Sequence, residues 1–300
     1  LTRLLVPGAA ALTLLLATSS AAASASAPLR HEIHARSLVP GELIRIDVRA
    51  PEGESLGDAS GHLGTTPLSF VAAAPGGPFV AWAVLDLDAK PGALPLSIEG
   101  TLASGARSSL SSSVDVGAKS FPEQPLAVAD KYVNPPKGVQ ARIEREQALL
   151  AKVYARRTPR LAASVFERPV PGDPTGVFGA RRVFNGEKRK PHPGIDLHAP
   201  EGTPVACSGP GIVALARDLY FSGNTIIVDH GGGLFTIYAH LSRIDVTEGQ
   251  EIGGGDPLGL SGATGRVTGP HLHWGAKVGS AIFDPTSLLD ARLFDGLGAR

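Results

Sequence analysis

The chain has 300 residues, 43% of them hydrophobic, with 28 Lys+Arg against 28 Asp+Glu and a formal net charge of +0. That balance excludes a general nucleic-acid binder, which needs a basic footprint to displace counterions. With 37 Gly, 25 Pro and only 5% aromatics, the composition points to short strands joined by turns and away from a helical bundle.

The first segment has the pattern of an export signal. Arg3 precedes an apolar stretch, Leu4 to Ala17, broken by Pro7 and Gly8, and small residues follow with A-x-A sites ending at Ala23 or Ala25. The stretch is too short and too broken for a membrane span. Residues 1–25 are therefore expected to be removed, leaving no integral membrane segment and a location in the periplasm or outside the cell.

Residues 28–118 read as a β-sandwich-like accessory domain. In GELIRIDVRAP, Ile44, Ile46 and Val48 share one face and Arg45, Asp47 and Arg49 the other, the alternation of a half-buried strand. Further strand-like runs follow between Pro/Gly/Ser turns, and Trp82 is expected in this domain's core. His31 and His34 in HEIH are one residue short of the HExxH spacing that puts two histidines on one helix face. Residues 119–161 read as a Pro-containing linker, 119–136, and then a helix over about Val139 to Arg156. Its apolar positions are Val139, Ile143, Leu150 and Tyr154, with Pro135, Pro136 and Pro159 marking its ends.

Residues 162–300 form a second β-rich domain, with GTPVACSG, GIVALAR, NTIIVDHG, LFTIYAHLS and HLHWGAK all strand-like. Cys207 is the only cysteine and reads as a small buried hydrophobe. No Gly-rich run sits between a strand and a helix, and no G-x-S-x-G elbow occurs. The chemistry concentrates in four residues. His192 and Asp196 lie in PHPGIDLHAP, and His271 and His273 in GPHLHWG. On a strand, residues two apart share a face, so His271 and His273 point the same way. Two imidazoles and one carboxylate drawn from such a set suit a divalent metal. Three protein ligands leave a fourth position for water, the pattern of a catalytic zinc site.

From Gly176 to Leu289 the chain resembles the lysostaphin-type (LytM-like) zinc metallopeptidases that cut peptidoglycan. It carries FGARRVFNG, HPGIDLHAPEGTPV, IIVDHGGG, YAHLS, VTEGQEI, GLSGATG and TGPHLHW in that family's order. The resemblance implies one zinc ion per chain on His192, Asp196 and His273, with His240 and His271 as the catalytic pair. His271 is the candidate general base and His240 the candidate oxyanion stabiliser, or the two exchange roles. It also implies a mainly β architecture: the sandwich-like domain, the connecting helix and a C-terminal antiparallel β peptidase domain with an open groove. Gly275 stands where the family carries an acidic residue after the aromatic, a departure expected to touch substrate fit. Arg181, Arg182 and Asn185 flank the metal segment and are candidates for contact with an anionic wall polymer. The expected function is zinc-dependent hydrolysis of cross-links or stem peptides. The alternatives are a non-catalytic activator of another wall hydrolase and a secreted lytic enzyme acting on other bacteria.

Overall fold

The computed structural model describes residues 27–127, 129–159, 162 and 164–297. The export segment expected over residues 1–25 lies outside the described residues. The N-terminal half contributes β1 (Arg30–Ala35), β2 (Leu43–Arg49), β3 (Leu56–Leu63), β4 (Thr66–Ser69), β5 (Val71–Ala72), β6 (Phe79–Val84), β7 (Gly92–Leu102) and β8 (Arg107–Val116). Then come β9 (Glu123–Leu126), a short turn α1 (Asp130–Val133) and the helix α2 (Gln140–Tyr154). The C-terminal half contributes β10 (Pro174–Gly176), β11 (Arg181–Phe184), β12 (Glu187–Lys188), β13 (Gly194–Leu197), β14 (Pro204–Ala206), β15 (Gly211–Leu219) and β16 (Gly223–Gly231). It continues with β17 (Leu234–Leu241), β18 (Arg243–Ile244), β19 (Glu251–Ile252), β20 (Pro257–Leu260), β21 (Leu272–Val278) and β22 (Ala281–Phe283).

The first eight strands form two four-stranded sheets, β1-β2-β6-β5 and β4-β3-β7-β8. Ile44, Ile46 and Val48 of β2 meet Leu96 and Ile98 of β7 in one core. The alternation of β2 thus does what its pattern predicts on that face. On the opposite face Arg49 is exposed, but Arg45 and Asp47 are buried. Arg45 is only 1% exposed. It donates to Asp47 through Nε at 2.8 Å and to the carbonyls of Leu293 and Asp295 at 2.7 and 2.8 Å. Trp82 likewise leaves the sandwich core and packs with Phe283, Leu288, Leu293 and Phe294 of the C-terminal half. A second cluster joins the halves nearby. Arg36 pairs with both Glu42 and Asp284, and Ser287 donates to Glu42.

The C-terminal half is built on an antiparallel sheet in the order β10-β13-β21-β17-β16-β15-β19, with β22 beside β21. One face packs Ile195, Tyr238, Leu272 and Trp274 against Val205 and Leu258 of the small sheet β14-β20-β18. The other face is covered by α2, whose Val153 packs with Leu215, Ile227 and Phe235. The amphipathic helix therefore belongs to the C-terminal core. Part of the expected linker is also sheet: β9 pairs parallel with β11, Gln124 opposite Arg182 and Leu126 opposite Phe184. Among the described residues no helix is long and apolar enough to cross a membrane.

The buried Arg45–Asp47 pair generates a stability prediction. Removing one member leaves the other charge buried and uncompensated, a loss on the order of 3 kcal/mol. Arg45→Met should lower the denaturant midpoint accordingly, because it also orphans the two carbonyls. A midpoint within error of wild type would show that this junction contributes nothing.

Candidate metal centre and cleft

The site is assembled by the central strands. Asp196 of β13 stands directly opposite His273 of β21, and Ala239 of β17 faces His273 from the other side. Cross-strand partners share a face, so the carboxylate and the imidazole meet without any loop to guide them. His192 precedes β13 in extended chain, where Pro193 and Gly194 exclude a helix. Its backbone N–H donates to Ala180 O at 2.9 Å. Gly176 pairs with Asp196 across the edge of the sheet. A side chain there would begin 2.5 Å from Asp196 Oδ2, so only glycine leaves room for the carboxylate.

His240 needs a different device. It follows Ala239, and strict alternation would send it to the opposite face from His273. Instead β17 carries a bulge against β16, with the register shifting between the Tyr238 and Leu241 pairs. His240 sits in it at φ 66°, the left-handed region. Bulges re-aim side chains in this way, and a non-glycine residue at such φ marks strain held by its surroundings. The result brings the His240 ring to 5.0 Å from that of His271 and 6.0 Å from that of His273, centroid to centroid.

Three donor atoms converge. His192 Nε2 lies 3.0 Å from Asp196 Oδ1 and 3.0 Å from His273 Nδ1, which is 2.9 Å from the same oxygen. His192 Nδ1 donates to Val177 O at 2.9 Å. A carbonyl can only accept, so the Nε2 of neutral His192 carries a lone pair. Burial lowers the His192 pKa to about 4, against the pull of Asp196. Burial alone would raise the Asp196 carboxyl, but the adjoining imidazoles of His192 and His273 hold it well below the usual carboxylate range. Three acceptors thus face one another, and His273 can bring them at most one proton. That deficit is what a divalent cation relieves, so these residues fit a metal ion. They are the one such group among the described residues.

The other two histidines are oriented by carbonyls as well. His240 Nδ1 donates to Thr264 O and His271 Nδ1 to Gly269 O, both at 2.8 Å. Each ring therefore presents Nε2 as an acceptor when neutral. Burial, then the neighbouring His273 and His271, lowers His240 to about 3. Both rings open onto a cleft of about 330 Å³ whose walls include Gln124, Leu126, Phe184 and Arg266.

The remaining candidates fall in different places. Arg182 lines the cleft, but its Nη2 is 3.1 Å from Asp196 Oδ2, where it steadies the ligand carboxylate. Arg181 is directed away from the site, to Asp88 of the N-terminal half at 2.5 Å and the Phe121 ring. The expectation that it faces substrate is corrected by that pairing. Asn185 and Gly186 have φ 49° and 87°, and they form the two-residue turn between β11 and β12. Asn-Gly is the preferred pair for such a hairpin, so the dipeptide itself signals a turn at this position. Gly275 is buried and turned toward the metal ligands. A Cβ there would lie 3.3 Å from Pro193 O and 3.4 Å from His273 Nε2, so a side chain at this position would adjoin the segment that holds His192 and His273. His198 lines the cleft. His230 is buried, sharing its ring nitrogens with Pro210 O and Thr236 Oγ1. Arg266 and Gln124 were not anticipated as cleft residues.

Comparison with known proteins agrees with this geometry. Residues 190–285 match Peptidase family M23. A solved chain from Pseudomonas aeruginosa assigned to peptidase M23 superposes with a TM-score of 0.63 at 32% identity, covering 85% of this chain and 96% of that one. The chain belongs to peptidase family M23. It is 48% identical over 98 residues to Peptidoglycan DD-endopeptidase ShyA of Vibrio cholerae, covering 32% of this chain and 23% of ShyA. It is 41% identical over 97 residues to DD-carboxypeptidase/endopeptidase Mpg of Neisseria meningitidis, covering 32% of this chain and 22% of Mpg. The chain thus matches under a quarter of the length of these relatives.

The depressed histidines predict a pH dependence. In the unfolded chain both titrate near about 6.5. Folded, His192 and His240 stay neutral down to about 4 and about 3. Between these values the unfolded state binds more protons, so stability falls as pH falls, by up to about 1.4 kcal/mol per pH unit for each histidine. Metal-stripped protein should melt lower at pH 5 than at pH 7, and His240→Gln should flatten the dependence. A variant as acid-sensitive as wild type would remove His240 from this account.

Proposed function

We propose that the chain is an exported zinc-dependent endopeptidase that hydrolyses peptide bonds of bacterial peptidoglycan, working in the periplasm or outside the cell. The observation that carries this reading is the convergence of His192 Nε2, Asp196 Oδ1 and His273 Nδ1 within 3.0 Å of one another. The His240 and His271 rings stand beside that set, 5.0 Å apart. Imidazole nitrogens and a carboxylate oxygen suit zinc, and three protein ligands leave a position open. Peptidoglycan as substrate is supported by the likeness to Peptidoglycan DD-endopeptidase ShyA. Export rests on the signal-like pattern of residues 1–25.

His192, Asp196 and His273 hold the ion, one per chain. When bound, zinc acidifies a coordinated water towards pKa about 7 and polarises the scissile carbonyl. The chain's own residues do the rest. Arg182 and Val177 O fix the ligands Asp196 and His192 before substrate arrives. His271 takes the proton of the attacking water on Nε2, which lies 3.6 Å from Asp196 Oδ1. The imidazolium so formed is stabilised by that carboxylate. His240, neutral and with its Nδ1–H committed to Thr264 O, is a second acceptor. It becomes a hydrogen-bond donor towards the tetrahedral oxygen after taking the second proton of the attacking water on Nε2, and the proton held by His271 passes to the leaving amine as the C–N bond breaks. No carboxylic acid is needed as base.

Metal analysis of purified protein should find about one zinc per chain, and Asp196→Ala should lose it together with all hydrolysis of isolated sacculi. His271→Ala should keep the zinc and lose about 10²- to 10⁴-fold in rate. Full metal occupancy in Asp196→Ala, or wild-type turnover in His271→Ala, would each overturn the role assigned to that residue.

A further inference from the structure

Most of the arginines around the metal centre are already neutralised. Arg181 pairs with Asp88, Arg182 with Asp196 and Arg189 with Glu187. Arg266 differs. It lines the cleft shared by His240 and His271. Its guanidinium carbon sits 4.8 Å from the centre of the Phe184 ring and 4.9 Å from that of Phe221. Among the described residues no carboxylate or carbonyl receives its guanidinium. Ring contacts use the flat face of the guanidinium and leave its planar N–H edges to bind a ligand. Burial, then the nearby cations Arg182 and Arg189, lowers its pKa to about 10, so it remains charged at neutral pH with nothing to balance it.

The backbone ties this cation to the catalytic pair. Arg266 N–H donates to Phe221 O at 2.8 Å. Two residues earlier, Thr264 O receives His240 Nδ1 at 2.8 Å. One short loop thus orients His240 and presents Arg266. A planar fork with five donors, stacked on aromatic faces and lacking an acid, matches a carboxylate better than any neutral group.

We propose that Arg266 is a specificity-determining residue that receives a carboxylate carried by the peptide substrate and seats it in the cleft beside His240 and His271. This rests on the endopeptidase reading, and deepens it: the substrate is an anionic peptide, and masking its carboxylates weakens recognition. The adjoining wall is complementary to such a peptide. Gln124 Oε1, on the β9 strand, is buried with no hydrogen-bond partner, an acceptor suited to a peptide N–H.

The test uses two ligands, a cross-linked peptide dimer with free carboxyl groups and the same dimer converted to carboxamides. Binding is read by titration calorimetry on the zinc-loaded His271→Ala protein, which keeps the cleft but does not consume the ligand. The free-carboxyl dimer should bind about tenfold tighter or more, the scale of one charged hydrogen-bonding pair. Adding Arg266→Gln should reduce that preference to within about twofold with zinc content unchanged, while Arg266→Lys should retain part of it. Should Arg266→Gln fail to fold, the partial loss in Arg266→Lys carries the test. Equal binding of the two dimers, no binding of either, or a preference that survives in both variants overturns the proposal. Hydrolysis by the wild-type protein is followed in parallel. Its absence with the binding preference intact would count against the peptidase reading and leave the subsite standing.

Discussion

The register of β21 between β13 and β17 is the constraint on which the site depends. Asp196 opposite His273 and Ala239 opposite His273 are set by backbone hydrogen bonds across three strands. A slip of one residue would turn His271 and His273 into the core and Leu272 and Trp274 out of it. Those two apolar side chains are fully buried, so the energy that fixes the register is mostly hydrophobic. The polar face receives its geometry as a consequence. This explains how three mutually close acceptors, costly to bury without a cation, are held together: the sheet beneath them is stabilised elsewhere.

Carbonyl groups complete the arrangement. Val177 O, Thr264 O and Gly269 O each accept from one imidazole Nδ1. That fixes three tautomers with the least ambiguous partner a protein offers. His192, His240 and His271 then all present Nε2, one to the metal set and two to the cleft. Thr264 lies in GLSGATG and Gly269 in TGPHLHW, but a residue pattern does not reveal that the backbone carbonyl is the group that acts.

What could be read from the residues, and what could not, follows from this division. That His192, Asp196, His240, His271 and His273 come together was legible because each lies in a recognisable run. The alternation of β2 and the amphipathic pattern of α2 were legible because each has one apolar face. The bulge at His240 was not, since it shows in a backbone angle and leaves the residue pattern unchanged. Arg45 read as a solvated residue on a polar face. Only the contact with Leu293 and Asp295, far away in the chain, makes it a buried one. Residues 123–126 read as linker because a four-residue strand on a sheet edge carries almost no periodic signal. Arg266 lay in plain view between the runs GLSGATG and TGPHLHW, but its meaning depends on the two phenyl rings and the missing acid, both set by tertiary packing.

The junction between the halves also has a consequence for the order in which the chain can be completed. Arg45 finds its carbonyl partners 248 and 250 residues later, and Arg36 its second carboxylate 248 residues later. A polypeptide made from its N-terminus therefore carries Arg45 paired with Asp47 alone, without its two carbonyl partners, and Trp82 without its cover, until residues 284–295 have followed. Domains made early usually close as independent units. Here the inner core of the sandwich is its own, but the outer face of β2 and Trp82 are covered only by a closure that spans most of the protein, a topology that slows folding.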